Sequence, residues 1–292
     1  MYDIDDIFEA ESPIHAVELL ERHPEAKIIA GGSDLLIKIR EGKLAGCTLI
    51  SIQKIDEMRG VQVDSDGAIR IGALTSFSHI AGDALIQKHI PVLAEAVLTI
   101  GGPQLRNIGT IGGNVCNGVT SADSASTLLA FDAVMEYLSA GGIRFVPITE
   151  HYVSVGKTAL AHGEILRAIL IPAESYNNCF GNYIKYAMRD ALDIATLGCS
   201  ANVRISADGK IDRLRLAYGV AGPVPRRAFT AEQAAAGKPA DAETAVLAAK
   251  AALSDINPRT SWRASGEFRL HLAEELAKRA IIESMKRAGV TL

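Results

Sequence analysis

Two short stretches hold the residues whose types and spacing could do chemistry. The first is Ala30-Gly31-Gly32-Ser33-Asp34, directly after the apolar run Lys27-Ile28-Ile29. The second, well downstream, is Gly109-Thr110-Ile111-Gly112-Gly113-Asn114. Glycine reaches positive φ at no steric cost, so successive N–H groups can point the same way. Such a cradle binds anionic oxygens, and a helix that starts just after it adds its dipole. The short polar residues Ser33, Thr110, Asn114 and Asp123 suit ribose and ribityl hydroxyls better than a bare triphosphate. Two cradles remote in the chain could clamp one diphosphate from two sides. No GxGxxG is present, which disfavours a Rossmann dinucleotide site. No lysine follows the glycines, which excludes a Walker-type ATPase more firmly. The plain alternatives are a tight turn at residues 31–34 and a helix cap at Asp123.

The elements that must position these loops show in the hydrophobic spacing. Ser12 and Pro13 open a helix with Ile14, Val17 and Leu20 at helical intervals. "AKIIA" reads as a short buried strand, and Ser33 or Asp34 could cap a short helix through Leu35, Leu36 and Ile39. "CTLISI" and "AIRIGAL" read as strands, so the opening is an α/β unit. "SFSHIAGDALIQ" and "PVLAEAVLTI" read as two helices, and "IGGPQLRNIGTIGGNVCNG" as a glycine-dense loop. "SADSASTLLAFDA" reads as a helix with Leu128 and Leu129 inward. "VMEYLSAGGIRFVPI" is a hairpin with Gly141 and Gly142 at its turn, and "EILRAILIP" is another strand. After the polar "ESYNNCFGN", three antiparallel strands are expected, two of them joined by "ADGK". An alanine-rich helical segment follows, its last helix facing inward through Phe268, Leu272, Leu276 and Ala280.

The chain has 292 residues, a net charge of −4 and 48% hydrophobic residues. That is an ordinary globular composition of about two domains. A slightly acidic balance argues against a nucleic-acid protein. No apolar run is long enough to span a bilayer, and no basic leader opens the chain, so the cytoplasm is the expected location. Cys47, Cys116, Cys179 and Cys199 are far apart and form no metal-binding spacing, so no metal centre is expected in this chain. The seven histidines are scattered, and no catalytic triad or general base emerges.

Three segments together carry a resemblance: "AKIIAGGSDLL", "LRNIGTIGGNVCNG…SADSASTLLAFDA" and "YIKYAMRDALDIATL". The chain resembles, over nearly its whole length, the FAD-binding subunits of molybdenum hydroxylases, and among them those of bacterial xanthine dehydrogenases. The wider fold group is that of vanillyl-alcohol oxidase and p-cresol methylhydroxylase. The resemblance implies an α+β protein with two α/β subdomains forming an FAD cleft in residues 1–176, split near 55–60. A C-terminal domain, residues 177–292, would hold a three-stranded antiparallel sheet with helices.

By the same resemblance Lys27, Ile28, Ile29, Ala30, Gly31, Gly32, Ser33 and Asp34 would wrap the FAD diphosphate. Gly109, Thr110, Ile111, Gly112, Gly113 and Asn114 would form the second clamp, and Asp123 would bond a cofactor hydroxyl. Ile100 stands where some members have phenylalanine against the flavin, Ile165 would touch the adenine region, and Lys185 would lie near the flavin or diphosphate. "RDALDIA" resembles a mobile loop near the flavin, marked by Arg189 and Asp193. Covalent members anchor FAD through histidine or cysteine. The "AGGSD" loop has neither, so noncovalent FAD is expected.

The resemblance implies partners: a large subunit with the molybdenum cofactor and a small subunit with 2Fe-2S clusters. Electrons would pass from the clusters to FAD and on to NAD+ as hydride, in hypoxanthine or xanthine oxidation. Alternatives are the flavin subunit of a carbon monoxide, nicotinate, aldehyde or aromatic acyl-CoA enzyme, a stand-alone flavoprotein oxidase, and a noncatalytic nucleotide-binding module.

Overall fold

The computed structural model describes residues 2–292. The chain opens with strand β1 (Ile4–Glu9), helix α1 (Pro13–Arg22), β2 (Lys27–Ile29), α2 (Leu35–Arg40) and β3 (Cys47–Ser51). The strands form a parallel sheet in the order β1-β3-β2, with Ile7 opposite Leu49 and Ile28 opposite Ile50. Ser12 Oγ caps α1 by accepting the His15 amide at 3.1 Å, and Pro13 occupies the first turn. Val17 and Leu20 turn inward, whereas Ile14 is about half exposed.

The next unit holds β4 (Val61–Val63), β5 (Ile69–Gly72), α3 (Phe77–Gly82), α4 (Ala84–His89) and α5 (Pro91–Leu98). It continues through α6 (Pro103–Ile108), α7 (Ile111–Cys116), α8 (Asp123–Ala130), β6 (Val134–Ser139) and β7 (Gly142–Pro147). After α9 (Ile148–His151) and the small pair β8 (Tyr152–Ser154) and β9 (Lys157–Thr158) comes β10 (Ile165–Ile171). Five strands pair antiparallel in the order β4-β5-β10-β6-β7. Parallel pairing is thus confined to the first sheet. Both sheets share one buried core, which runs from Ile50 and Met58 to Ile71, Leu128 and Ile169.

Two expectations are corrected here. The first helical stretch is two helices, because the Asp83 carboxylate accepts the Leu85 and Ile86 amides and restarts the chain as α4. The glycine-dense segment is mostly helical, as α6 and α7. Its glycines mark places where backbone packs on backbone: a β-carbon on Gly112 would lie 2.7 Å from the carbonyl oxygen of Ala73.

The last unit contains α10 (Ala173–Tyr176), β11 (Phe180–Tyr186), β12 (Leu197–Ile205), β13 (Ile211–Gly219) and β14 (Arg226–Arg227). Helices α11 (Phe229–Ala235), α12 (Ala242–Ala251) and α13 (Gly266–Arg287) complete it. The antiparallel sheet has four strands, not three, because the two-residue β14 joins β13. Its own core forms between this sheet and the helices, with Leu272, Leu276 and Ala280 buried from α13. Phe268 departs from the expected inward face. It is 41% exposed and meets the Tyr186 ring edge-on, with centroids 6.0 Å apart.

Among the described residues no helix is long and apolar enough to cross a membrane. Among them, too, no group of three or more His, Cys, Asp or Glu side chains could hold a metal ion. The four thiols are free; Cys179 and Cys199 are buried.

Candidate functional site

A cleft of about 670 Å3 opens where the β2–α2 turn faces α6, α7 and the start of α8. That volume lies in the range of small-molecule and cofactor sites. The two glycine loops meet there. A β-carbon on Gly31 would stand 2.0 Å from the Ile108 carbonyl oxygen and 3.3 Å from Gly109 Cα. Only glycine lets the first loop lie this close to the second. Gly32 adopts φ +72°, the left-handed region that glycine favours.

The loops differ in what they present. Among the described residues, the amides of Gly31, Gly32, Ser33 and Asp34 have no acceptor. Four consecutive free donors line the cleft wall, the arrangement an anion requires. In the second loop every amide but that of Thr110 is already used. Ile111 donates to Thr75 O (3.0 Å), Gly112 to Ala73 O (2.8 Å), Gly113 to Thr110 Oγ1 (3.2 Å) and Asn114 to Thr110 O (3.0 Å). The expected second run of free N–H groups is therefore absent. Residues 109–114 contribute a smooth wall, the Thr110 hydroxyl and the Asn114 amide, whose oxygen accepts from Ser124 Oγ at 2.6 Å.

Of the residues singled out in the sequence, 27–34, Ile100, Gly109, Thr110, Gly112, Gly113, Asn114, Asp123 and Ile165 line the cleft. Ile111 does not: its side chain is fully buried in the core behind α7. Lys185 does not line it either. Its Nζ donates to Asp123 Oδ2 (2.8 Å), Thr99 O (3.0 Å) and Asp193 O (2.8 Å), so all three donors are spent inside the protein.

Asp123 sits in the first turn of α8 and does not cap it. Its Oδ1 accepts from the Tyr183 hydroxyl at 2.9 Å. Burial pushes its carboxyl above the ordinary value, against the pull of Lys185 and Tyr183. Each carboxylate oxygen can still accept a further hydrogen bond from the cleft side.

The loop of residues 187–194 closes on this group. Asp193 Oδ2 accepts the Met188 and Arg189 amides at 3.0 and 3.1 Å, and Oδ1 accepts the Ile194 amide. Burial opposes its charge, but these amides and Arg189 hold the carboxyl below its ordinary value. Arg189 and Asp193 thus shape the loop, and the loop brings Leu192, Asp193 and Ile194 to the cleft.

Sequence reasoning missed Phe77, which packs on Gly109, and Lys38, whose Nζ reaches Asn117 Oδ1 at 3.0 Å beside the cleft. Lys38 lay in plain view, on the helix that the first glycine loop opens. Phe77 and Tyr183 gave no local signal.

A second, more open depression of about 450 Å3 lies elsewhere, lined by Asp132, Arg215, Arg227 and Glu232 among others. Those four charges satisfy one another.

A deep cleft with a free amide run and a buried carboxylate defines a nucleotide-cofactor site. Residues 3–174 match the family described as "FAD binding domain in molybdopterin dehydrogenase", and residues 182–284 match "CO dehydrogenase flavoprotein C-terminal domain". The chain belongs to this family, the FAD-binding subunits of molybdenum hydroxylases.

Within it, the chain is 42% identical over 289 residues to the xanthine dehydrogenase FAD-binding subunit of Escherichia coli O157:H7, covering 99% of each. It is 29% identical to the carbon monoxide dehydrogenase medium chain of Hydrogenophaga pseudoflava, covering 91% of each. A solved carbon monoxide dehydrogenase from the same organism superposes with a TM-score of 0.93 at 30% identity, over 98% of this chain and 99% of that one. The cleft fits FAD on its own terms. It has free donors for paired phosphates, room for an extended ligand, and a buried carboxylate with acceptor capacity to spare.

Proposed function

We propose that this chain is the FAD-binding electron-transfer subunit of a xanthine dehydrogenase-like complex that passes electrons to NAD+. The observation that carries this reading is 42% identity, end to end, to a xanthine dehydrogenase flavin subunit, against 29% to a carbon monoxide dehydrogenase chain. When bound, FAD accepts electrons singly and releases them as a hydride. This chain's residues bind and orient the cofactor.

The amides of Gly31, Gly32, Ser33 and Asp34 would hold the diphosphate, noncovalently. Residues 109–114 would close the other wall. Asp123 would accept a cofactor hydroxyl, Ile165 would meet the adenine, and Ile100 would face the flavin. Lys185 acts one step back: it fixes Asp123 and the 187–194 loop. The partners are a molybdenum-cofactor subunit, where the purine is oxidised, and an iron–sulfur subunit that delivers the electrons. The expected location is the cytoplasm.

The test uses the complex. With this chain present, xanthine should reduce NAD+. Without it, xanthine should still reduce an artificial dye through the molybdenum and iron–sulfur subunits, but not NAD+. NAD+ reduction that persists without this chain would refute the reading.

A further inference from the structure

The one tryptophan of the chain lies outside both cores: Trp262 is 77% exposed. It sits in the loop of residues 257–264 that leads into α13. The Arg263 guanidinium stacks on its ring at 4.1 Å from the centroid. Arg259 and Arg269 complete a cluster of three cations. Arg269 is buried, and its guanidinium reaches only neutral acceptors: Thr196 O at 3.1 Å, Ser261 Oγ at 2.8 Å and the Arg259 carbonyl. Among the described residues, none of the three pairs with a carboxylate. Burial, and then the charges of Arg259 and Arg263, hold Arg269 below its ordinary value. Arg263 Nε is buried with no acceptor at all. An acidic protein has here gathered like charges without a counter-charge, and they repel one another.

The cluster adjoins an apolar surface. Thr196, which holds Arg269, donates its amide to Tyr186 O at 2.8 Å. Tyr186 and Phe268, in edge contact, are each about 40% exposed, and Met188 beyond them is 63% exposed. Exposed Trp, Tyr and Arg in one patch is the composition of binding hot spots. A second copy of this face would meet it with like charge, so two-fold self-pairing here is disfavoured.

We propose that this arginine-rimmed aromatic surface is the docking face for a partner subunit that presents carboxylates to Arg259 and Arg263 and an apolar spot to Trp262. The proposal rests on the reading of the chain as one subunit of a complex, and deepens it.

The test co-expresses the full chain with the molybdenum and iron–sulfur subunits and measures assembly by mass photometry, with flavin content and melting temperature as folding controls. Arg259→Glu/Arg263→Glu and, separately, Trp262→Ala should each weaken association by roughly 30-fold or more. Flavin content and melting should stay as in the wild type. Wild-type association should weaken with salt, and that of the charge-reversed variant far less. Variants that assemble as the wild type does would overturn the surface alone, as would a wild-type self-dimer that Trp262→Ala breaks. A wild-type chain that captures neither subunit would overturn both the surface and the complex.

Discussion

A β-carbon at position 31 would overlap the Ile108 carbonyl oxygen, so Gly31→Ala must push the two cleft walls apart. The expected cost is about 1–3 kcal/mol in urea denaturation, the range for overpacking, together with loss of bound flavin. Gly82→Ala is the control. It ends α3 with open space around it, and should be neutral or slightly stabilising with flavin retained. At Lys185 the prediction concerns a pair. Lys185→Met leaves the buried Asp123 carboxylate without its cation, which costs about 3–5 kcal/mol. Adding Asp123→Asn should recover part of that loss, and hydrogen exchange should show a loosened 187–194 loop in the single variant. A double variant that simply sums its singles would contradict the coupling. Residues 31–34 were legible in the sequence because the whole device is local. Lys185 was not, because its carboxylate partner lies 62 positions away, and a lysine on a strand gives no sign of which way its charge is held.

Helix α7, which carries Gly112, Gly113 and Asn114, is pinned from behind by His151. The Nε2 of His151 faces the Val115 carbonyl at 3.2 Å, which can only accept, so the proton sits on Nε2. Nδ1 then accepts the Tyr137 hydroxyl at 2.5 Å. Burial holds this imidazole down at about 4, against an ordinary value of 6.5. The unfolded chain therefore binds the extra proton first. The stabilisation is whole above pH 6.5 and is lost as pH falls toward 4, by roughly 3 kcal/mol. Urea denaturation at pH 7 and pH 4.5 should show this slope in the wild type and a shallower one in His151→Gln; equal slopes would contradict it.

At this scale the helices with caps and the hairpin strands were legible. The strand β1 was not: three of its six residues are acidic, and it is mostly exposed at the sheet edge, so no alternating pattern marks it. Helix α7 was hidden by its own glycines, which exist for the close approach to Ala73 rather than for a flexible loop.

Across the whole molecule, two cores meet along α8. Its carboxyl end offers the Leu129 carbonyl and, just beyond, the Asp132 carboxylate to Arg227 of β14. Asn202 of β12 donates to Ala130 O at 3.1 Å. Its amino end holds Asp123 against Tyr183 and Lys185 of β11. One short helix thus joins the cleft to the C-terminal sheet. The α+β class was legible through the resemblance, in keeping with an α/β opening followed by antiparallel strands. The convergence of the two glycine loops was legible from their joint presence and from the resemblance, although nothing in either loop alone specifies the other.

The central claim is that the free amides of residues 31–34, in the cleft that these loops close, hold one FAD without a covalent bond. The direct test is acid precipitation of the purified full chain after saturation with FAD and gel filtration. The account predicts about one FAD per chain, all of it released into the supernatant, and none retained by Gly31→Ala. Flavin that stays with the precipitate, or a folded wild-type chain that carries none, would contradict it.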